Sequence, residues 1–86
     1  MDAVFVLQIG EKYDFSIDMS TIWPNDTIAS VVWTIPAGLT GSGQMNTTTT
    51  ATIWIERTAS GDLVVDALLT STAGRKEKVQ WLFQEK

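Results

Sequence analysis

Leu63-Val-Val-Asp-Ala-Leu-Leu-Thr-Ser-Thr-Ala-Gly-Arg-Lys-Glu-Lys-Val-Gln-Trp-Leu-Phe83 is the stretch whose reading decides the fold. Leu63, Val65, Ala67 and Leu69 alternate with Val64, Asp66 and Leu68. After a polar interval, Val79, Trp81 and Phe83 alternate with Lys78, Gln80 and Leu82. A period of two puts successive side chains on opposite faces, so each run is a half-buried strand. The interval holds Ala73-Gly74, and the two faces constrain how the hairpin closes. A two-residue loop at Ala73-Gly74 would set Leu69 opposite Lys78, mixing apolar and charged side chains on one face. Three residues, Ala73-Gly74-Arg75, avoid this, with Gly74 free to take positive φ. That register sets Leu69 opposite Val79, Ala67 opposite Trp81 and Val65 opposite Phe83.

Working outward, the same periodicity recurs. Ala51, Ile53 and Ile55 alternate with Thr52, Trp54 and Glu56. Tyr13, Phe15, Ile17 and Met19 share one face against Asp14, Ser16 and Asp18. Thr27 to Ile35 reads as a strand with Ala29, Val31, Trp33 and Ile35 on its inner face. Ala3 to Ile9 is a further apolar strand. Leu39 to Met45, broken by Gly41-Ser42-Gly43, fits a short edge strand or an irregular loop. Turn signals at Gly10-Glu11-Lys12, Pro24-Asn25-Asp26, Pro36-Ala37-Gly38 and Ala59-Ser-Gly-Asp62 separate the segments. Twelve Thr, four Trp and many Val and Ile favour strands over helices. Six or seven short strands at this spacing predict an all-β antiparallel sandwich, with a small barrel as the competing architecture. At 86 residues, residues 1–86 are read as a single domain.

Composition removes most chemistry. The chain has no His and no Cys, which excludes His-based acid/base catalysis, Ser-His and Cys-His nucleophiles, His or Cys zinc sites and disulfides. Asp14 and Asp18 share a strand face but stand about 13 Å apart, farther than the roughly 5–9.5 Å of a glycosidase pair. Asp26, Asp62 and Asp66 lack the spacing of a calcium loop. Gly41-Ser42-Gly43 lacks the lysine and helix of a phosphate loop. The expectation is a non-enzyme with no cofactor, no metal and no small-molecule substrate. A net charge of −4 argues against nucleic acid, and Arg75, Lys76 and Lys78 are expected at a solvated hairpin tip. No run approaches a membrane span, and Ala3 to Ile9 is too short for a secretory leader. The expectation is therefore no membrane partner, and a chain that is intracellular or leaves the cell without the secretory route. For the same reason Asn25-Asp-Thr27 and Asn46-Thr-Thr48 are read as chance matches to the glycosylation pattern.

What the alternation leaves on the outside points to contacts. Trp33 and Trp81 lie on inner faces and are expected in the core. Trp54 lies outside, because Ile53 and Ile55 claim the inner face of its strand. Val64, Leu68 and Leu82 lie opposite their strands' core sets. In the register above, Leu68 faces Gln80 and Asp66 faces Leu82, making Leu68 and Leu82 diagonal neighbours. A solvated sheet face would more usually carry Thr, Lys and Glu there. Trp54, Val64, Leu68 and Leu82 are therefore the candidate partner contacts, with Trp54 anchoring a second surface.

Asp14-Phe-Ser-Ile-Asp-Met-Ser-Thr-Ile-Trp23 and Asp26-Thr-Ile-Ala-Ser-Val-Val-Trp-Thr-Ile-Pro-Ala-Gly-Leu-Thr40, with Thr50-Ala-Thr-Ile-Trp-Ile-Glu56 and Leu69-Thr-Ser-Thr-Ala-Gly-Arg75, carry a resemblance. Over roughly residues 14 to 84 the chain resembles small Ig-like structural proteins of tailed phages and prophages, the fiber-tail adaptor proteins. It departs from them at Ile22-Trp-Pro24, where Trp followed by Leu is expected, and around Arg57-Thr-Ala-Ser60, where a more Gly-rich turn is expected. The resemblance implies an Ig-like sandwich of about seven strands with a structural role in the virion, made in the bacterial host cytoplasm. It implies fiber, tail or capsid subunits as partners and several copies per particle, and it carries over no functional residues. A capsid decoration (cement) protein and an isolated Ig-like carbohydrate- or cell-binding module are the alternatives.

Overall fold

The computed structural model describes residues 2–85. They form seven strands: β1 (Asp2–Val6), β2 (Lys12–Asp18), β3 (Ile28–Thr34), β4 (Leu39–Asn46), β5 (Thr50–Arg57), β6 (Leu63–Ser71) and β7 (Lys76–Gln84). One sheet runs β1-β7-β6-β3 and the other β2-β5-β4. Every pairing is antiparallel except β1 with β7, which is parallel. This is an Ig-like sandwich in which the first strand joins the sheet of the last, as an edge beside β7. Segment Leu39–Asn46, ambiguous in the sequence, is a genuine strand whose register with β5 shifts between Ser42 and Met45. The barrel alternative is corrected by the division of the strands into two separate sheets.

The closing hairpin has the expected three-residue loop, placed one residue earlier. Ser71 N–H donates to Arg75 O at 2.7 Å, and Arg75 N–H donates to the Ser71 hydroxyl at 2.8 Å. Ser71 thus closes the loop with both backbone and side chain, leaving Thr72, Ala73 and Gly74 as the turn. Gly74 has φ +98°, the left-handed conformation that glycine takes without a Cβ penalty. Moving the loop by one residue moves the register by two. Leu69 faces Glu77, Ala67 faces Val79, Val65 faces Trp81 and Leu63 faces Phe83. A shift of two keeps every side chain on its expected face.

A single-residue slip does the opposite, and one occurs in β3. The register with β6 breaks between Ile28 and Ser30, so Ile28 is buried and Ala29 is exposed. The expected inner position of Ala29 is corrected by this bulge. Tyr13, also expected inside, is exposed where β2 runs past the core. Trp33 is only half-buried on edge strand β3, although it packs against the core.

Between the sheets lie Leu7, Ile17, Met19, Trp23, Leu39, Ile53, Ile55, Val65, Leu69, Val79, Trp81 and Phe83, all buried. Trp23 was not predicted as core. Its N–H donates to Met19 O at 2.8 Å, and this single turn folds the indole back under the sheets. Five aromatic rings form one pile. Phe15 of β2 lies 4.9 Å from Phe5, 5.0 Å from Phe83 and 5.9 Å from Trp81, and Trp33 lies 5.4 Å from Trp81. Tilted and edge-on geometries of this kind suit the ring quadrupoles.

At one end of the sandwich the Arg57 side chain is fully buried. Its Nε donates to Ala59 O at 2.9 Å and Nη1 to Phe83 O at 3.3 Å; Nη2 donates to Gly61 O and lies 3.7 Å from Glu85 Oε1. The planar guanidinium fork, with five N–H donors in fixed directions, serves several carbonyls at once. At the other end Asp26 ties the segment before β3 to the closing hairpin. Its Oδ1 accepts from Thr27 N (2.8 Å) and Ala73 N (3.3 Å), and Oδ2 accepts from Arg75 Nη1 (2.8 Å). Arg75 is therefore ion-paired, which amends its reading as part of a solvated tip. The Ser71 hydroxyl leads the set of donors that hold the Asp26 carboxyl at about 2, against an ordinary 3.8, with burial opposing them.

Two outcomes follow from this packing. Trp81→Ala removes the ring shared by both sheets and is expected to cost about 3–5 kcal/mol. Trp33→Ala, from a half-buried edge position, is expected to cost clearly less; urea unfolding of both variants compares them, and equal losses would refute the difference in burial. For Asp26, a lowered folded-state pKa means the carboxylate stabilises the fold fully above the unfolded value and loses that contribution as pH falls through the folded one. Wild type is expected to lose stability between pH 3.8 and about 2 more steeply than Asp26→Asn, which starts less stable. Parallel acid titrations would contradict this role.

Candidate contact surfaces

Sheet register assembles the outward side chains into rungs. On the outer face of the four-stranded sheet, Val4 of β1 pairs with Leu82 of β7, and Leu82 pairs with Val64 of β6. The next rung is polar: Asp2, Gln80, Asp66 and Thr34, with Gln80 Nε2 donating to Asp66 Oδ1 at 2.9 Å. A third rung joins Lys78, Leu68 and Val32. Apolar and polar rungs thus alternate across the face.

Three of the four predicted contact residues sit on this one face. Val64 is 43% exposed and Leu68 39% exposed, while Leu82 is half-buried by its neighbours. Their arrangement differs from the expected one. Leu68 faces Lys78 rather than Gln80, and Leu82 faces Val64 rather than Asp66. Leu68 and Leu82 are not diagonal neighbours, because the two-residue register shift carries them apart. Val64 and Leu82 are instead direct partners, and Val4 and Val32 extend the two apolar rungs. Asp2, Ala3, Val4, Val64, Gln80 and Leu82 line a shallow depression along the first rung. Alternation alone did not single out Val4, because an apolar strand such as Ala3–Ile9 does not declare its faces. Its parallel pairing with β7 supplies the missing information.

Trp54 lies on the other side of the molecule. It is 41% exposed on the outer face of the three-stranded sheet, between Asp14 and Ser42. Gly43 sits in the β4 irregularity with φ +60°, and a Cβ there would come within 2.8 Å of Trp54 Cδ1. Only glycine lets the indole lie down over that strand. Beside it the Ser16 and Thr52 hydroxyls are bonded at 2.9 Å, and Met45, opposite Thr52, is 66% exposed. Two sheets about 10 Å apart separate Trp54 from the aliphatic rungs, so one flat partner surface cannot cover both.

Among the described residues no group of three His, Cys, Asp or Glu side chains comes together to hold a metal ion. A second depression, lined by Ile22, Trp23, Pro24, Asn25, Asp26 and Arg75, has its one acid and one base already paired. Among the described residues no helix is long and apolar enough to cross a membrane.

The backbone is similar to the solution structure of the PKD domain from KIAA 1837 protein, with a TM-score of 0.57. Sequence identity is 14%, over 99% of this chain and 81% of that one, and at that level the likeness concerns the fold alone. No curated protein matches the sequence. Residues 8–83 match the family model of the Podophage GP4 fiber-tail adaptor protein gp77, a span that takes in β2 to β6 and β7 as far as Phe83 and leaves β1 outside, and the chain belongs to that family.

Proposed function

We propose that this chain is a small, non-enzymatic structural subunit of a bacteriophage particle, an adaptor linking fibers to the tail or head-tail region. Family membership across residues 8–83 is the observation that carries the reading. The surface is in keeping with it. An adaptor needs two separable contacts, and the sandwich turns Val64, Leu68 and Leu82 one way and Trp54 the other. Exposed aliphatic rungs bordered by polar ones suit a partner that buries the former and leaves the latter at a wet rim. In this reading the chain works as one domain, its partners are other phage structural proteins present with several copies of it per particle, and it resides in the virion after synthesis in the host cytoplasm. It takes no nucleic acid, membrane or small-molecule substrate.

The laid-down indole of Trp54 favours a second reading, an Ig-like module that stacks a sugar ring on that face. The two readings separate cleanly. For the adaptor, Val64→Lys with Leu68→Glu is expected to leave the isolated domain folded, since both side chains are exposed, and to abolish its incorporation into particles. Normal incorporation of the double variant would overturn these residues as contacts. A change of tryptophan fluorescence on adding glycans to the isolated chain, lost in Trp54→Ala, would favour the sugar-binding module instead.

A further inference from the structure

The four sheet edges are not alike. On β3 the edge is interrupted by the bulge between Ile28 and Ser30, and on β4 by the shift between Ser42 and Met45. Edge strand β2 carries Lys12, Asp14 and Asp18. These are the devices by which natural sheets discourage pairing with another chain. Strand β1 carries a single charge, Asp2 at its first position, and over Ala3–Val6 it has no proline, no glycine, no charge and an unbroken register with β7. Leu7 N–H donates to Gln84 O at 2.9 Å, and in a parallel ladder alternate residues point their backbone groups the same way. Ala3 and Phe5 therefore address β7, while Val4 and Val6 aim their N–H and C=O outward. Their side chains are 62% and 57% exposed.

We infer that β1 is a pairing edge for a second copy of this chain, joined antiparallel about a two-fold axis at Val4. The strand is self-complementary in that register. Val4 meets Val4 of the second copy, and both present outward backbone groups, so the pair exchanges two N–H···O bonds. Ala3 meets Phe5 of the second copy on the inner face, a small side chain beside a large one. Asp2 meets Val6 of the second copy, so no carboxylate opposes another. The two Asp2 residues stand about 13 Å apart, beyond the roughly 8 Å screening length at physiological salt, so the net charge of −4 does not forbid the contact at this edge. A two-fold self-contact of this kind closes on itself and stops at the dimer. It also runs the Val64, Leu82 and Val4 rungs of both copies together into one apolar row across a continuous sheet. The inference goes beyond the adaptor reading, because it concerns the isolated chain and needs no other phage protein.

Light scattering on the purified chain tests it. Twice the 9.5 kDa chain mass at millimolar concentration is expected, with slowed amide hydrogen exchange at Val4 and Val6. Val4→Pro removes the outward N–H at a position where an edge tolerates proline, and Val4→Lys places a charge there. Both are expected to run at the monomer mass with a cooperative melt retained, and Val4→Lys keeps the test valid should the proline variant unfold. Because the chain has no cysteine, Val4→Cys is expected to oxidise to a single covalent dimer across the axis. Monomer mass for wild type at millimolar concentration, or an unchanged dimer in a folded Val4→Lys, would overturn the inference. Neither outcome bears on incorporation into particles, so the two readings fail separately.

Discussion

Phe15 is the ring on which the association of the two sheets turns. Backbone hydrogen bonds in a sandwich run within each sheet, and this chain has no cysteine to staple one to the other. Adhesion between the layers therefore depends on side chains. Phe15 comes from the three-stranded sheet and reaches Phe5, Trp81 and Phe83, which belong to three positions on β1 and β7. This contact also holds β1 in place. That strand has only β7 as a neighbour within its sheet, and Phe5 is its main grip on the core. An edge strand anchored through one face can leave its other face and its outer backbone groups exposed without detaching.

The two ends of the sandwich need different solutions, because strands stop there and backbone N–H and C=O groups lose their ladders. Arg57 solves one end by bringing a buried cation to the carbonyls of Ala59, Gly61 and Phe83. It follows Ile53 and Ile55 at the same period, so its inward direction was legible. Its burial was not, since charged side chains are rarely interred without several partners, and those partners are loop and terminal-strand carbonyls. Asp26 solves the other end through Ala73 and Arg75, 47 and 49 residues away in sequence. No local pattern announces such a pairing.

What could be read from the sequence was parity, and what could not was register. In β5, β6 and β7 the apolar inner residues were assignable, because a strand paired on both sides cannot slip by one without exposing its whole apolar set. Slipping by two exposes nothing, so the hairpin alternation left two registers equally acceptable on faces alone. Ser71, buried and bonded twice to Arg75, decides between them. The bulge in β3 is the opposite case. There a one-residue slip was tolerated because Ala29 loses little by facing water, while Ile28 gains a buried site. Edge strands permit this, having one ladder to break rather than two.

The same distinction governs the candidate contacts. Outwardness is a matter of parity, so Trp54, Val64, Leu68 and Leu82 were all placed on outer faces correctly. Adjacency is a matter of register, so which of them touch was not. The consequence is more than a change of neighbours. With Leu68 beside Leu82 the apolar surface would have centred on β6 and β7, in the interior of the sheet. With Val64 beside Leu82 and Leu82 beside Val4, the row runs outward to the sheet's open edge. A surface that ends at unpaired backbone offers a partner both apolar area and hydrogen bonds, and alternate side chains then select among partners. Face and edge are thus one continuous surface on the four-stranded side, while Trp54 and Met45 are the exposed apolar side chains of the other outer face.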